Sequence, residues 1–151
     1  MLYFFDSSAL AKRFHTEPGS GAVDAICAGS GNQVLTSRLA LVELTSVAAI
    51  KVPTGAITPE QAGKFLAAVV RSSRLNEFIV QPLLELDYAH AQTLLTRHAQ
   101  NHRLRTLDAL HLASALRRRT RSGLDSFVTA DRTLSHDAAL EGFSVLLPNE
   151  N

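Results

Sequence analysis

Short apolar runs alternate with longer segments of helical character along the whole chain. The runs read as strands that are apolar on both faces, and they are Leu2–Phe5, Val34–Thr36, Phe78–Val80, Phe127–Thr129 and Phe143–Leu147. Strands of this kind, alternating with helices, favour a parallel sheet that is covered by helices on both sides. The pattern therefore predicts an α/β fold.

The segments between the runs carry helix start and stop signals. Thr58 with Pro59 is such a start, Ser37 and Thr106 are predicted caps, and Asp137 is predicted to cap a short turn. The predicted helices are Ser8–Arg13, Gly21–Ala28, Arg38–Lys51, Pro59–Ser72, Asp87–His102 and Leu107–Arg119, with the turn at Asp137–Leu140.

Composition limits the class of protein. A chain of 151 residues with 46% hydrophobic and 19% charged residues fits one globular domain over residues 1–151. Cys27 is the single cysteine, so no intrachain disulfide can form. The apolar start ends at Asp6, too early for a signal-peptide core, and no apolar run approaches the ~20 residues of a membrane span. We expect a cytoplasmic protein with no membrane partner.

Four carboxylates stand where solubility does not explain them. Asp6 and Asp131 each follow an apolar run, and Asp108 and Glu43 lie in apolar stretches of predicted helices. Asp6 and Asp131 could be helix caps, and Asp108 could be favoured by the helix dipole. Glu43 has no such local explanation, because an unpaired carboxylate inside an apolar helix is costly.

Together, the positions of the four acids point to one site. Ligands of open parallel sheets bind beyond the carboxyl ends of the strands, where the strand order reverses. Two charges ~4 Å apart repel by about 4 kcal/mol at an effective dielectric near 20, so such a cluster takes up protons or binds cations. We find no cysteine partner and no histidine pair at ligand spacing, so all-oxygen ligation predicts Mg²⁺ or Mn²⁺. Phosphodiester hydrolysis is the reaction class that such a site favours.

The distribution of basic residues is uneven although the net charge is only +1. Seven arginines lie between Arg97 and Arg121, where Asp108 is the only acid. The stretch could follow a nucleic-acid backbone, or its last arginines could simply complement the end of a helix.

Four segments of the sequence resemble the PIN-domain family, and within it the VapC-type toxins of bacterial toxin–antitoxin pairs. The segments occur in the family's order and span nearly the whole chain; they are Phe4–Lys12, Leu41–Leu44, Leu104–Ala113 and Phe127–Leu134. Residues Gly142–Pro148 also look like the family's last strand.

The resemblance implies a three-layer α/β/α fold with strand order 3-2-1-4-5 and cleavage of RNA that depends on Mg²⁺ or Mn²⁺. Its catalytic and metal-binding acids map onto Asp6, Glu43, Asp108 and Asp131, and its supporting hydroxyls onto Ser7 and Thr129. It further implies a homodimer that a VapB-type antitoxin holds inactive. Candidate RNA contacts are Lys12, Arg13, Arg103 and Arg105.

Three other functions stay open at this point. The chain could be a non-catalytic RNA- or protein-binding module that retains the PIN fold, or a nuclease that acts on DNA. An aspartyl-phosphate enzyme would also place an acid after the first strand. The haloacid-dehalogenase-like version of that enzyme needs a second Asp two positions after Asp6, where this chain has Ser8.

Overall fold

The computed structural model describes residues 1–150, apart from the side chains of residues 99–101 and 122. Its centre is a parallel five-stranded sheet in the order β3-β2-β1-β4-β5, which confirms the predicted α/β class and strand order. The strands are β1 (Leu2–Phe5), β2 (Gln33–Ser37), β3 (Ile79–Gln81), β4 (Ser126–Val128) and β5 (Val145–Leu146).

Seven α-helices lie within the described residues and connect these strands. They are α1 (Ser7–Ala11), α2 (Ser20–Ala28), α3 (Arg38–Lys51), α4 (Pro59–Arg74), α5 (Glu85–His102), α6 (Thr106–Ser122) and α7 (Arg132–Leu140), and a 3₁₀ turn, Pro148–Glu150, follows β5. Among the described residues, no helix combines the length and the apolar character that crossing a bilayer requires.

The core has two halves, one on each face of the sheet. Successive side chains of a strand point to opposite faces, so Phe4 packs in one half with Phe127 and Phe5 packs in the other with Val128. The Phe4 and Phe127 rings stack with centroids 5.6 Å apart. Burial on both faces explains why the strands read as continuous apolar runs.

The register of the sheet brings the ends of three strands together. Phe5, the last residue of β1, pairs with Thr36 in β2 and with Val128 in β4. The next backbone N–H, that of Asp6, donates to the Val128 carbonyl at 3.2 Å. The strand order reverses at β1, because the chain passes through β2 and β3 on one side and returns as β4 on the other. Residues that follow β1 and β4 therefore share one edge of the sheet.

Three predicted caps differ from the structure. Ser37 is the N-cap of α3, but its side chain makes no capping hydrogen bond. Its hydroxyl instead lies 3.1 Å from Nδ1 of His111. Thr106 is the first residue of α6 rather than its cap, and the cap position is occupied by Arg105.

The prediction for Asp137 is also wrong. The last helix begins at Arg132, because Oδ1 of Asp131 accepts hydrogen bonds from the backbone N–H groups of Thr133 and Leu134. Asp137 therefore lies inside α7, and its side chain is fully buried.

Candidate active site

Asp6 occupies the carboxyl end of β1 and is only 3% exposed. Oδ1 accepts the backbone N–H of Ala9 at 2.8 Å, so Asp6 is the N-cap of α1. Oδ2 accepts the hydroxyl of Thr129 at 2.7 Å, and Oγ of Ser8 lies 2.8 and 2.9 Å from the two carboxylate oxygens. Burial raises the pKa of Asp6, and the charge of His111 and these hydrogen bonds only partly offset it. Asp6 thus acts as a cap and also faces the site.

Two hydroxyls connect the ends of β1 and β4. Oγ1 of Thr129 donates to Asp6 and accepts the backbone N–H of Asp131 at 3.0 Å. Oγ of Ser8 accepts the backbone N–H of Ala130 at 2.8 Å. Residues that are more than 120 positions apart in the chain are therefore fixed relative to one another at the sheet edge.

Asp108 reaches this edge from the first turn of α6. Burial and the negative charges of Asp131 and Asp6 raise its pKa to about 6, against smaller opposing effects of His111 and Arg105. The charges of Asp131 and Asp6 act on the pKa of Asp108, so the three carboxylates lie within electrostatic range of one another.

Glu43 is held by a hydrogen-bonded chain that starts in β2. Nε2 of His111 lies 2.5 Å from Oε2 of Glu43, and the other ring nitrogen lies 3.1 Å from the Ser37 hydroxyl. Burial raises the pKa of Glu43, but the hydrogen bond and charge of His111, with a hydrogen bond from Ser7, give a net lowering. Glu43 is therefore ionised, and its hydrogen bond to His111 holds the carboxylate in one orientation. The charge of His111 also acts on Asp6 and Asp108, which makes this buried ring a common neighbour of three acids.

The supporting residues differ partly from those that the sequence indicates. Thr129 contacts Asp6, whereas the hydroxyl beside Asp6 on α1 belongs to Ser8 and Ser7 is directed to Glu43. Sequence reasoning missed Ser8, and it gave His111 no role at the site. A signal for His111 exists in the sequence, since it follows Asp108 by three positions and so lies on the same face of a helix.

The four candidate RNA contacts lie in different surroundings. Lys12 is 5% exposed, and its ammonium donates to Glu17 at 2.9 Å and to the Pro18 carbonyl at 2.8 Å. This position favours a structural role for Lys12.

The arginines are more accessible. Arg13 pairs with Asp24 at 3.0 Å, whereas Arg103 and Arg105 are exposed at the start of α6. The charge of Arg105 lowers the pKa of Asp108, so its guanidinium lies near the acids. Of the seven arginines in the basic stretch, Arg97 binds Glu141 and Arg117 binds Asp87.

The donor set suits a hard divalent cation, although the ligands are not drawn together. Within residues 1–150, no group of three or more His, Cys, Asp or Glu side chains has the arrangement of a metal site. Mg²⁺ is commonly bound through one or two carboxylates, with waters and phosphate oxygens as the other ligands. Burial and the charges of Asp131 and Asp6 together raise the pKa of Asp108, and a cation bound beside it would reduce this cost. By donor chemistry alone, Asp6, Asp108 and Asp131 suit such a cation.

Several solved structures share the fold of this chain. FitAcB from Neisseria gonorrhoeae superposes with a TM-score of 0.66 at 18% identity, covering 97% of each chain. VapC20 from Mycobacterium tuberculosis, a Sarcin-Ricin loop cleaving toxin, gives 0.65 at 19% identity, covering 94% of this chain and 96% of VapC20. VapBC2 from Rickettsia felis, bound to a DNA fragment from its promoter, superposes with a TM-score of 0.60 at 16% identity, covering 87% of this chain and 89% of the other. At these identities the likeness concerns the fold.

The sequence comparisons give a more direct assignment. No curated protein matches the chain significantly. The model of the PIN domain matches residues 3–139, which include all four acids and, apart from Leu2, every strand except the last. The chain belongs to the PIN domain family.

Proposed function

We propose that the chain is an endoribonuclease that depends on Mg²⁺ or Mn²⁺ and serves as the toxin of a VapBC-type pair. The observation that carries the proposal is that Thr129 joins Asp6 and the backbone of Asp131 at one sheet edge, with Asp108 within electrostatic range of both acids. Membership of the PIN family and the likeness in fold to toxins support it. A toxin of this kind acts on cytoplasmic RNA.

Each residue has a distinct task in the proposed mechanism. Asp6, Asp108 and Asp131 would hold the cation, which supplies Lewis acidity and a more acidic bound water. Thr129 and Ser8 fix the Asp6 carboxylate through their hydroxyls. His111 fixes Glu43, whose lowered pKa keeps it ionised, so that it could bind the cation directly or through a water. Hydrolysis consumes one water and leaves a phosphomonoester and a free hydroxyl.

Arginines near the acids would bind the RNA backbone. Arg103 and Arg105 are exposed, and Arg105 lies close enough to Asp108 to lower its pKa. Guanidinium groups bind phosphate through paired hydrogen bonds. This position suits the phosphates that flank the one that is cut.

An apolar groove offers a place for the antitoxin. It lies between α1, α3 and α4, has a volume of about 310 Å³, and its apolar lining includes Phe14, Ala48 and Phe65. Its charged lining residues are Lys51, Lys64 and Glu17, and Glu17 is already paired with Lys12. The solved relatives include a toxin–antitoxin complex from Klebsiella pneumoniae. We assign the groove to an amphipathic antitoxin segment with acidic residues beside its apolar face, and we expect the toxin itself to be a homodimer.

The test is cleavage of total RNA by the purified protein. Cleavage is expected with Mg²⁺ or Mn²⁺, is abolished by EDTA, and is expected to fall at least ~100-fold in Asp108→Asn, because one anion of the cation site is lost. Glu60→Gln is the matched control, since Glu60 is an exposed acid at the start of α4, away from the sheet edge. The same assay with single-stranded DNA of matching sequence tests whether the enzyme requires ribose. If the neighbouring reading frame encodes an antitoxin-like protein, its co-expression should suppress cleavage.

A second function is favoured by the geometry of Asp6. Both of its carboxylate oxygens already accept hydrogen bonds, and no ready group of three ligands exists among the described residues. These features suit a non-catalytic RNA- or protein-binding module that retains the PIN fold. RNA that binds but is not cut, with no binding of Mg²⁺ or Mn²⁺ in calorimetry, would establish that function and overturn the nuclease.

A further inference from the structure

Ser37 occupies the N-cap position of α3 without capping the helix. Serine is one of the residues preferred at this position, because its hydroxyl oxygen accepts a backbone N–H of the first turn. The Ser37 backbone has the extended conformation of a cap, yet its side chain makes no capping hydrogen bond. The residue is fully buried, and its hydroxyl lies 3.1 Å from Nδ1 of His111. A local preference that is given up inside the core indicates that the ring is the partner that the fold favours.

The His111 ring is held through both of its nitrogens. It is 1% exposed, and its Nε2 lies 2.5 Å from Oε2 of Glu43. An ionised carboxylate only accepts hydrogen bonds, so Nε2 carries the hydrogen of this contact. Nδ1 of the neutral ring is then an acceptor, and the Ser37 hydroxyl can donate to it. The two contacts together therefore favour one tautomer, with the hydrogen on Nε2.

The ring also ties Glu43 to the helix that carries Asp108. His111 follows Asp108 by three positions on α6, whereas Glu43 belongs to α3 and Ser37 ends β2. Three elements are therefore joined at one buried ring. The Glu43 side chain is 20% exposed, so its carboxylate meets the ring on one side and solvent on another. Rotation of the ring would break both of its hydrogen bonds and release Glu43 from its position relative to Asp108.

We propose that Ser37 holds His111 in the Nε2–H tautomer and that His111 holds Glu43 toward the acids of the sheet edge. Both are positioning residues, and the inference rests on the nuclease function proposed above. Hydrogen-bonding partners of this kind commonly fix carboxylates that bind metal ions, and their loss typically costs about 10–100-fold in metal affinity or activity. Because both side chains are buried away from RNA, their loss is expected to lower kcat and to leave KM nearly unchanged.

A second buried histidine–glutamate pair provides a matched control. Nε2 of His98 lies 2.6 Å from Oε1 of Glu141, and His98 is 6% exposed. Glu141 is the C-cap of α7, at the opposite end of that helix from Asp131. This pair has the same chemical groups as His111 and Glu43. Substitutions of His98 therefore show what the loss of a buried hydrogen bond of this type does through the fold alone.

Cleavage kinetics of two amide variants separate positioning from packing. The Gln amide nitrogen is as many bonds from Cβ as Nε2 of histidine, whereas the Asn amide nitrogen matches Nδ1. His111→Gln can still donate to Glu43 and should keep most of its kcat. His111→Asn cannot reach Glu43 and should lose about 10–100-fold in kcat with KM nearly unchanged. Ser37→Ala should lose less kcat than His111→Asn, because the ring can still reach Glu43.

The controls separate this role from stability. His98→Gln and His98→Asn should cleave RNA as the wild type does. Urea unfolding should show similar losses of stability for the two His111 variants, so that the difference in kcat between them does not come from folding. If His111→Asn does not fold, Ser37→Ala takes its place in the kinetics, since it removes only a hydroxyl.

NMR spectra of ¹⁵N-labelled histidine rings test the arrangement without RNA or metal. In the wild type, His111 should be protonated at Nε2 and not at Nδ1, and Ser37→Ala should lose this single pattern while His98 is unchanged. An Nδ1–H ring in the wild type, an unchanged His111 spectrum in Ser37→Ala, or equal kcat in His111→Gln and His111→Asn would overturn the proposal. A wild type that cleaves no RNA would instead overturn the proposed function, and the spectra would still decide whether Ser37 fixes the tautomer.

Discussion

At the scale of single residues, the four acids differ in what surrounds each carboxylate. Asp6 is buried and receives several hydrogen bonds, Glu43 is oriented by His111, and Asp131 caps a helix through one oxygen. Asp108 has the least local support, and burial and its acidic neighbours raise its pKa to about 6. Folding therefore makes the negative charge of Asp108 costly.

The raised pKa of Asp108 predicts a dependence of stability on pH in metal-free protein. A carboxyl whose pKa is 3.8 when unfolded and about 6 when folded binds protons more tightly in the folded state. Stability is therefore lost as pH rises from about 4 through 6. Asp108→Asn should raise the free energy of unfolding by about 1–2 kcal/mol at pH 7.5 in EDTA, after allowance for solvent screening. The gain should disappear near pH 4.

Urea unfolding of wild type and variant across this pH range measures the effect. At neutral pH, Mg²⁺ should stabilise the wild type and so reduce the difference in free energy of unfolding between Asp108→Asn and the wild type. If Asp108→Asn raises the free energy of unfolding equally at pH 4 and pH 7.5, the removal of a buried negative charge is not the cause of the gain.

At the scale of elements, Asp131 decides where α7 begins. Its carboxylate caps the first turn, so the helix starts at Arg132, earlier than the apolar pattern indicates. The bounds of β1 agree with the prediction, and α3 agrees at both ends. Local apolar patterns determine the bounds of those elements, whereas a capping side chain must reach a free backbone N–H group in the folded chain.

Two substitutions of Asp131 separate its role as a cap from its role as a charge. Asn caps helices as well as Asp does, whereas Ala loses about 1 kcal/mol. Asp131→Asn should therefore keep the free energy of unfolding within about 0.5 kcal/mol of the wild type but should not cleave RNA. Asp131→Ala should be less stable and should not cleave RNA either. Urea unfolding measures the first property and the cleavage assay the second, both on the same preparations. Full cleavage by Asp131→Asn would remove Asp131 from the proposed site.

At the scale of the whole molecule, a buried ion pair joins two of the helices that cover the sheet. Nε of Arg117 on α6 donates to Oδ1 of Asp87 on α5 at 2.7 Å, and Asp87 is fully buried. The same guanidinium donates to the Pro82 carbonyl, and Oδ2 of Asp87 accepts the Leu84 N–H. Part of the arginine-rich stretch thus serves the packing of the fold.

Removal of one partner of this pair should be strongly destabilising. Asp87→Asn leaves the Arg117 charge buried and uncompensated, and we expect a loss of about 3 kcal/mol in the free energy of unfolding. Glu60→Gln is the matched control, because the Glu60–Lys64 pair is exposed and should change stability by no more than about 0.5 kcal/mol. Equal small effects in the two variants would show that the Asp87–Arg117 pair contributes little.

The sequence by itself determined the α/β class and most of the elements, because strand and helix patterns are local and repeat over a few residues. It also singled out Asp6, Glu43, Asp108 and Asp131 as acids in unusual surroundings. Their convergence depends on the strand order, which the chain alone indicated only through its resemblance to a family.

Only the tertiary structure decided the partners of these side chains. Ser8 rather than Ser7 contacts Asp6, His111 orients Glu43, and Asp137 lies buried beside three histidines. Each of these contacts is set by the register of the sheet or by the docking of one helix on another. A shift of one residue in a strand, or a rotation of one helix, would change every such partner and leave the apolar pattern of the sequence the same.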